Sequence, residues 1–370
     1  MKLIITKENI IKALQKIIGV VEKRQTMPIL SHVLFRKKEN ICEVVASDLE
    51  VQLSSSLILE KESDFSQNIT IPGRKLFDIS KGLPDNSILE IDIVEGGKLQ
   101  IKSKKSKFIL SALDAETFPL MDIDNEGGVN FSINSNDYKK IVSRTSFAMA
   151  QQDVRYYLNG LYVSLSNKEL FGVATDGHRL AKSGVETDTI LEETVSAIIP
   201  RKGVIEIDKQ LGEESQILSV AVSKNHLQIS AKDTNAISKL IDGKFPDYDK
   251  VIPLDATKKI LVECKSFKEA LIRVSILSND RFRGVRLNFA DNEIKVSANN
   301  PEKEEASDDI KATYSGEPIE VGFNVNYLID VLNVIKTKNV QISLKDNNSS
   351  ALLMPENDNS SSYVVMPLRL

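Results

Sequence analysis

Two kinds of apolar spacing take turns along the chain. In TKENIIKALQKI, from Thr6, the residues Ile10, Ile11, Leu14, Ile17 and Ile18 form one face while Glu8, Lys12 and Lys16 fall on the other. That spacing predicts an amphipathic helix capped by Thr6. NSNDYKKIVSRTSFAMA from Asn134 and CKSFKEALIRVSIL from Cys264 read the same way. So does a second set: PGRKLFDISKGL from Pro72, PRKGVIEIDKQL from Pro200 and NVNYLIDVLNVIKTK from Asn324. Between these stretches lie short alternating runs rich in Val, Ile, Leu and Phe, broken at KKEN, SNKE, ADNE and KDNN. The pattern predicts an α+β chain with helices packed on antiparallel sheets.

The pattern also repeats. VVASDLEV at Val44, GVATDGHR at Gly172 and KVSANNPE at Lys295 each close an alternating run with Ala, a small polar residue, then Asp or Asn. Their alanines, Ala46, Ala174 and Ala298, are 128 and 124 residues apart. KLQIKS, HLQISA and NVQISL recur in step, as do Phe118-Pro119 and Phe245-Pro246. A third of the 370 residues is close to this period, so three homologous domains are expected, at 1–125, 126–252 and 253–370. Each would carry two helices.

Composition adds less. At 41% hydrophobic and 27% charged the chain reads as globular, and no apolar run approaches the roughly 18 residues that a membrane span requires. Lys7, Glu8 and Lys12 interrupt what would be a signal peptide's apolar core, so a cytoplasmic protein is expected. Cys42 and Cys264 belong to no CxxC pair, and neither a metal site nor a redox motif is expected.

Charge matters more in its distribution than in its total of −4. The six helical stretches carry +2, +2, +2, +1, +1 and +1, which is +9 together, so the rest of the chain holds −13. Helices gathered on one positive surface, with strands and loops carrying the acid, would account for this. A second asymmetry sets IKSKKSKF, with Lys102, Lys104, Lys105 and Lys107, against PEKEEASDD, with Glu302, Glu304, Glu305, Asp308 and Asp309. These read as complementary edges, with apolar Phe108 and Leu110 beside one and Ile276 and Leu277 near the other. Exposed ion pairs contribute about 0 to 1 kcal/mol each, whereas burying a large apolar side chain contributes about 1.5 to 3, so the apolar residues would dominate such a contact. If the edges met head to tail between two copies, the contact would close into a ring.

ATDGHRLAKSG, from Ala174, is the stretch that most resembles chemistry. Asp176, His178 and Arg179 could form a general base with an orienting carboxylate, as in a hydrolase. The repeat alignment argues otherwise: Asp176 corresponds to Asp48 and Asn300, and only the middle repeat adds the His and Arg. No phosphate-binding Gly-rich loop, metal-ligand spacing or nucleophile elbow is present, so no enzyme and no cofactor is expected. A monomeric peptide-binding adaptor without a nucleic-acid role is the other alternative.

Across its whole length the sequence resembles the bacterial sliding clamp, the beta subunit of DNA polymerase III. The resemblance is carried by MPIL at Met27, PGRKLFDISKGLP at Pro72, QQDVRYYLNG at Gln151, ATDGHRLA at Ala174, IPRKGVIE at Ile199 and DGKFPDY at Asp242. It continues through ILSNDRFRGVRL at Ile276, ANNPEKEEA at Ala298, YSGEPIEVGFNVNYLIDVL at Tyr314 and the terminal YVVMPLRL. It implies three domains of the DNA-clamp type in a head-to-tail dimeric ring, the processivity factor of the replicative polymerase. Twelve helices would line a hole through which duplex DNA passes, held by topology more than by tight phosphate contacts. The positions matching the family's DNA contacts are Arg24, Arg74, Gln152, Tyr156, Tyr157, Arg201 and Lys202.

An apolar groove between the second and third domains would capture short peptides of the polymerase alpha subunit, the clamp-loader delta subunit, other polymerases and repair proteins. The matching positions are Leu158, Thr175, Gly177, His178, Arg179, Leu180, Pro246, Val251, Val364, Met366, Pro367 and Leu368. The resemblance likewise assigns Lys105, Lys107, Phe108, Leu110, Ile276, Leu277, Glu302, Glu304 and Glu305 to the dimer interface, with Ile276 and Leu277 where a loader would pry it open. Lys250 replaces an arginine common in the family and Leu368 a methionine, so partner choice at those positions is in question.

Overall fold

A computed structural model describes residues 2–21, 27–38, 41–94, 96–122, 128–166, 168–189 and 194–369. The chain divides into two compact units, Met1–Asn136 with Lys202–Leu240, and Asp137–Arg201 with Ile241–Leu370. The six expected helices are α1 (Lys7–Gln15), α2 (Gly73–Gly82), α3 (Ser135–Thr145), α4 (Arg201–Leu211), α5 (Cys264–Ser275) and α6 (Val325–Val334). Thr6 caps α1 by accepting from Asn9 N at 3.3 Å, and the predicted apolar face buries Ile10 and Leu14. Asn324 caps α6 in the same way, accepting from Asn326 N at 2.9 Å.

Two helix ends differ from expectation. The stretch expected to run to Lys338 stops at Val334 because Ile335 turns extended and buries its side chain, leaving the lysines beyond it outside the helix. The stretch expected to reach Ala150 ends at Thr145 and continues as a tighter turn over Ser146–Ala148.

In the first unit, eight antiparallel strands form one sheet in the order Ile69–Pro72, His32–Lys38, Ile41–Ser47, Val51–Leu57, Thr234–Lys239, His226–Ala231, Ile217–Val222, Val129–Asn134. The first and second repeats are joined by one pairing in this sheet, with Leu53 opposite Ala236. Lys2–Thr6, Ile88–Val94, Lys98–Ser103 and Ser106–Ser111 form a second sheet, and α1 packs against α2.

In the second unit, twelve strands run in the order Val195–Pro200, Gly160–Ser166, Glu169–Thr175, Arg179–Glu186, Ser361–Val365, Ala351–Pro355, Asn339–Leu344, Lys258–Glu263, Glu305–Thr313, Glu293–Asn299, Gly284–Ala290, Ile319–Asn324. Here the second and third repeats meet through Arg179–Glu186 and Ser361–Val365, with Leu180 opposite Val364. Helices α5 and α6 pack on one another.

The repeat marker proves to be a turn. Asp48 Oδ1 accepts from Glu50 N at 2.9 Å and Val51 N at 2.7 Å; Asp176 Oδ1 accepts from His178 N at 2.9 Å and Arg179 N at 3.0 Å. Asn300 Oδ1 accepts from Glu304 N at 2.9 Å. A short side-chain acceptor closing its own turn is what all three repeats need at this point. In the first two the next residue is left-handed, Leu49 at φ 75° and Gly177 at φ 87°.

Candidate functional site

Strand alternation places Thr175 and Val173 opposite Leu180 and Lys182, and Val364 next to Leu180, on one face of the larger sheet. Leu180, Val364, Val173 and Leu158 are buried there together with Ala150, Ile198, Phe245 and Leu352. Tyr157, Tyr162, Phe171, Tyr248, Val251 and Met354 pack half-buried around them. Pro246 and Met366 are exposed beside this floor, Met366 at 37%. Leu158, Leu180, Val251 and Val364 thus come together, with Pro246 and Met366 at the open surface: an apolar cluster with half-buried aromatic side chains around it.

The turn at one end of the floor is held from inside. Thr175 Oγ1 donates to Arg179 O at 2.6 Å and accepts from Gly177 N at 3.1 Å. Gly177 adopts its φ of 87° without strain, where repeat one holds Leu49 at 75°, and a side chain there would meet the Arg155 guanidinium at 2.9 Å and have to displace it. Arg155 is itself fixed by Asp153, whose carboxyl its hydrogen bonds hold down to about 2.

Arg179 points inward. Its Nε bonds Asp176 Oδ2 at 3.1 Å, Nη1 bonds Asp330 on α6, and Nη2 donates to Phe147 O at 2.9 Å. The guanidinium lies between the rings of Phe147 and Tyr327, 5.3 and 4.6 Å from their centroids. Arg179 was expected among the groove residues; its atoms are committed to the protein. His178 is exposed, stacks on Tyr327 at 6.4 Å and 17°, and accepts from Met366 N through its backbone at 2.9 Å. Both Asp176 oxygens serve the turn and Arg179, leaving no Asp–His dyad of the hydrolase kind.

Pro367 and Leu368 continue from Met366 to the outer strand Ile319–Asn324. Leu368 N donates to Gly322 O at 2.7 Å on that strand, and both residues line a cavity of about 400 Å³ with Arg286, Glu320 and Asn347. Lys250 is exposed and pairs with Asp247 at 2.8 Å.

Of the positions expected to face DNA, Arg24 lies outside the described residues. Gln152 sits at φ 55° in an exposed loop, Tyr156 is 58% exposed, and Tyr157 stands edge-on to it at 5.8 Å. Arg201 Nη1 donates to Met149 O at 3.2 Å in the same unit. In the other unit Arg74 Nε donates to Val21 O at 2.7 Å, and Lys202 Nζ pairs with Asp48 at 2.5 Å.

Among the open strand edges of the described residues, two carry the positions expected at the dimer contact. Ser106–Ser111 is the last strand of its sheet, with Lys105 and Lys107 exposed and Phe108 and Leu110 only half-buried. Glu305–Thr313 pairs along its length with Glu293–Asn299 but meets Lys258–Glu263 only at Ala312 and Thr313, so Glu305–Lys311 has one unpaired edge. Ile276 is 76% exposed, Leu277 half-buried, and Glu302 and Glu305 exposed; Glu304 is held by Asn300 Nδ2 at 2.6 Å.

Family models match the chain three times over. Residues 1–122 match the N-terminal domain of the DNA polymerase III beta subunit, 132–247 its central domain and 249–369 its C-terminal domain. The chain belongs to the DNA polymerase III beta subunit family. Its three domains are clamp domains, and the processivity role of the beta clamp follows from that membership. The beta sliding clamp of Pseudomonas aeruginosa is 42% identical over 366 residues, covering 99% of each chain, and that of Escherichia coli 40% identical over 370 residues, covering 100% of each. A crystal structure of the P. aeruginosa beta subunit superposes with a TM-score of 0.95 at 41% identity, covering 100% of both chains. A second structure from that organism, 42% identical with the same TM-score and coverage, holds the clamp bound to griselimycin.

Residues of the apolar cluster that the sequence did not single out for the groove are the aromatics Tyr162, Phe171, Phe245 and Tyr248; Tyr327 stands apart, against Arg179 and His178. Phe245 and Tyr248 stood in the quoted GKFPDY, and alternation in YVSLS and LFGVAT would have put Tyr162 and Phe171 on the floor's face once the strand register was known. Burial pushes the Tyr248 hydroxyl up to about 12, so it stays a neutral donor there.

Proposed function

We propose that the chain works as a head-to-tail homodimer closed into a ring around duplex DNA, in the cytoplasm, and that it acts by topology and recruitment without catalysing a reaction. The three domains would span 1–125, 126–252 and 253–370. One observation carries the ring: two unpaired strand edges of opposite charge, each with apolar side chains beside it, in one chain. An open edge invites pairing with another strand, and a lysine-bearing edge suits a glutamate-bearing one. Phe108, Leu110, Ile276 and Leu277 would supply most of the association energy, and Lys105, Lys107, Glu302, Glu304 and Glu305 its direction.

Within that ring, Arg74, Gln152, Tyr156, Tyr157, Arg201 and Lys202, with Arg24, would meet DNA. Arg74, Arg201 and Lys202 have protein partners, which suits loose phosphate contact. The trough over Leu158, Leu180 and Val364, with Pro246, Val251 and Met366, would take a short peptide from the polymerase alpha subunit, the loader delta subunit or repair proteins; Pro367 and Leu368 would meet an extension of it. Griselimycin bound to the P. aeruginosa clamp supports a ligand site of this kind. Sedimentation velocity tests the dimer. A species of twice the chain's 41.2 kDa supports it, and a monomer at every concentration would overturn it.

A further inference from the structure

Beyond the floor of the trough the same sheet face continues outward. Lys182 stands on the face of Leu180, two residues along its strand, with Val173 opposite it and Tyr162 opposite Val173. Tyr162, Phe171 and Tyr248 form a triangle there, with ring centroids 6.3, 6.1 and 6.2 Å apart. Tyr162 also stacks on Phe245 of the floor at 5.0 Å, so triangle and floor are one continuous surface.

The triangle already holds a cation. Lys182 Nζ lies 5.3 Å from the Phe171 centroid and 5.0 Å from that of Tyr248, and 3.3 Å from Asp249 Oδ1. Both ring distances fall within the roughly 6 Å at which a cation is attracted to an aromatic face. Asp247 and Glu169 add negative potential at Tyr248, and Lys250 is occupied with Asp247. Around Tyr248 the carboxylates of Asp249, Asp247 and Glu169 thus stand against the ammonium groups of Lys182 and Lys250, with Lys244 also acting on Asp247. The Asp249 side chain is 67% exposed against 30% for Lys182, so a ligand arriving from solvent meets the carboxylate first.

We propose that this aromatic–acidic cage is the specificity-determining end of the trough: it takes an Arg or Lys that flanks the apolar anchors of a partner peptide, and Lys182 is its displaceable internal occupant. The proposal rests on the peptide-groove reading above. The incoming cation stacks on Tyr248 and Phe171 and pairs with Asp249 while the Lys182 ammonium moves out to water. This exchange discriminates by charge, since a flanking carboxylate meets Asp249 and gains no ring face.

The test is fluorescence polarisation of the full-length protein with three labelled octapeptides sharing Leu and Phe anchors and differing only in flanking Arg, Ala or Glu. Wild type should bind the Arg peptide about three- to tenfold tighter than the Ala peptide. Asp249→Asn should erase that preference and Lys182→Met should enlarge it, each read as the ratio of Arg-peptide to Ala-peptide affinity in the same variant. Opposite effects of two neighbouring substitutions are not what damage to the fold would give. Equal affinity for the Arg and Ala peptides, or tighter binding of the Glu peptide, would overturn the cage. If none of the three binds wild type, the groove itself falls and the cage with it, a result distinct from binding without charge preference.

Discussion

The Arg179 guanidinium lies 4.6 Å from the centre of the Tyr327 ring, between a turn of the central domain and a helix of the C-terminal one. Its side chain is 12% exposed and it bonds two carboxylates and a carbonyl. A planar fork that both stacks and bonds on several sides is something arginine provides and lysine does not.

Arg179→Lys should therefore cost nearly as much as Arg179→Ala, about 2 to 3 kcal/mol, because either leaves Asp176 and Asp330 without their shared partner. Urea unfolding of the two variants checks this, and near-wild-type stability of the lysine variant would contradict it.

Met366 is exposed, so Met366→Ala should change stability by less than about 0.5 kcal/mol. If it anchors a bound peptide, the same change should weaken peptide binding by about tenfold. Calorimetric titration beside a thermal melt separates the two effects; unchanged affinity would remove Met366 from the site.

Ile276→Ala with Leu277→Ala should weaken dimerisation, since each residue can bury about 1.5 to 3 kcal/mol of apolar surface in the contact. Ile276 is 76% exposed in the single chain, so the fold should persist. Sedimentation of the double variant at low concentration should give a larger monomer fraction than wild type, and an unchanged fraction would count against the assignment.

His32 is 7% exposed, its ring nitrogens 3.3 Å from Pro28 O and 3.4 Å from Ser111 O. Burial pushes its pKa below the ordinary 6.5. The unfolded chain then takes up the proton first as pH falls, so this residue's share of stability is full above about pH 6.5 and is lost progressively below it. His32→Gln should flatten that part of the acid-side slope in urea midpoints measured from pH 8 to 5. An equally steep slope would show that other groups set it.

Much of this architecture is legible in the sequence because it is local. Caps such as Thr6, apolar faces such as Ile10 with Leu14, and the Asp48–Asp176–Asn300 turn are each specified within a few residues, and threefold repetition separates them from coincidence. The pairings that join repeats, Leu53 with Ala236 and Leu180 with Val364, are long-range, and nothing in either strand names its partner. The apolar cluster straddles the second of these. Hence Leu158, Leu180 and Val364 came through family resemblance, the rest of the cluster and its aromatic surround did not, and Arg179 was expected to face a ligand although its guanidinium is bonded within the protein. Helix α6 overran for a related reason: no Gly or Pro marks its end, and burial of Ile335 decides it.

Retention on DNA tests the central claim most directly. The protein is loaded with a clamp loader onto a nicked circular plasmid, washed at high salt, and the plasmid is then linearised with a restriction enzyme. A closed ring stays on the circle through the wash and is lost on cutting. Equal retention on circle and line, falling steeply with salt, would mean direct electrostatic binding and would contradict the ring.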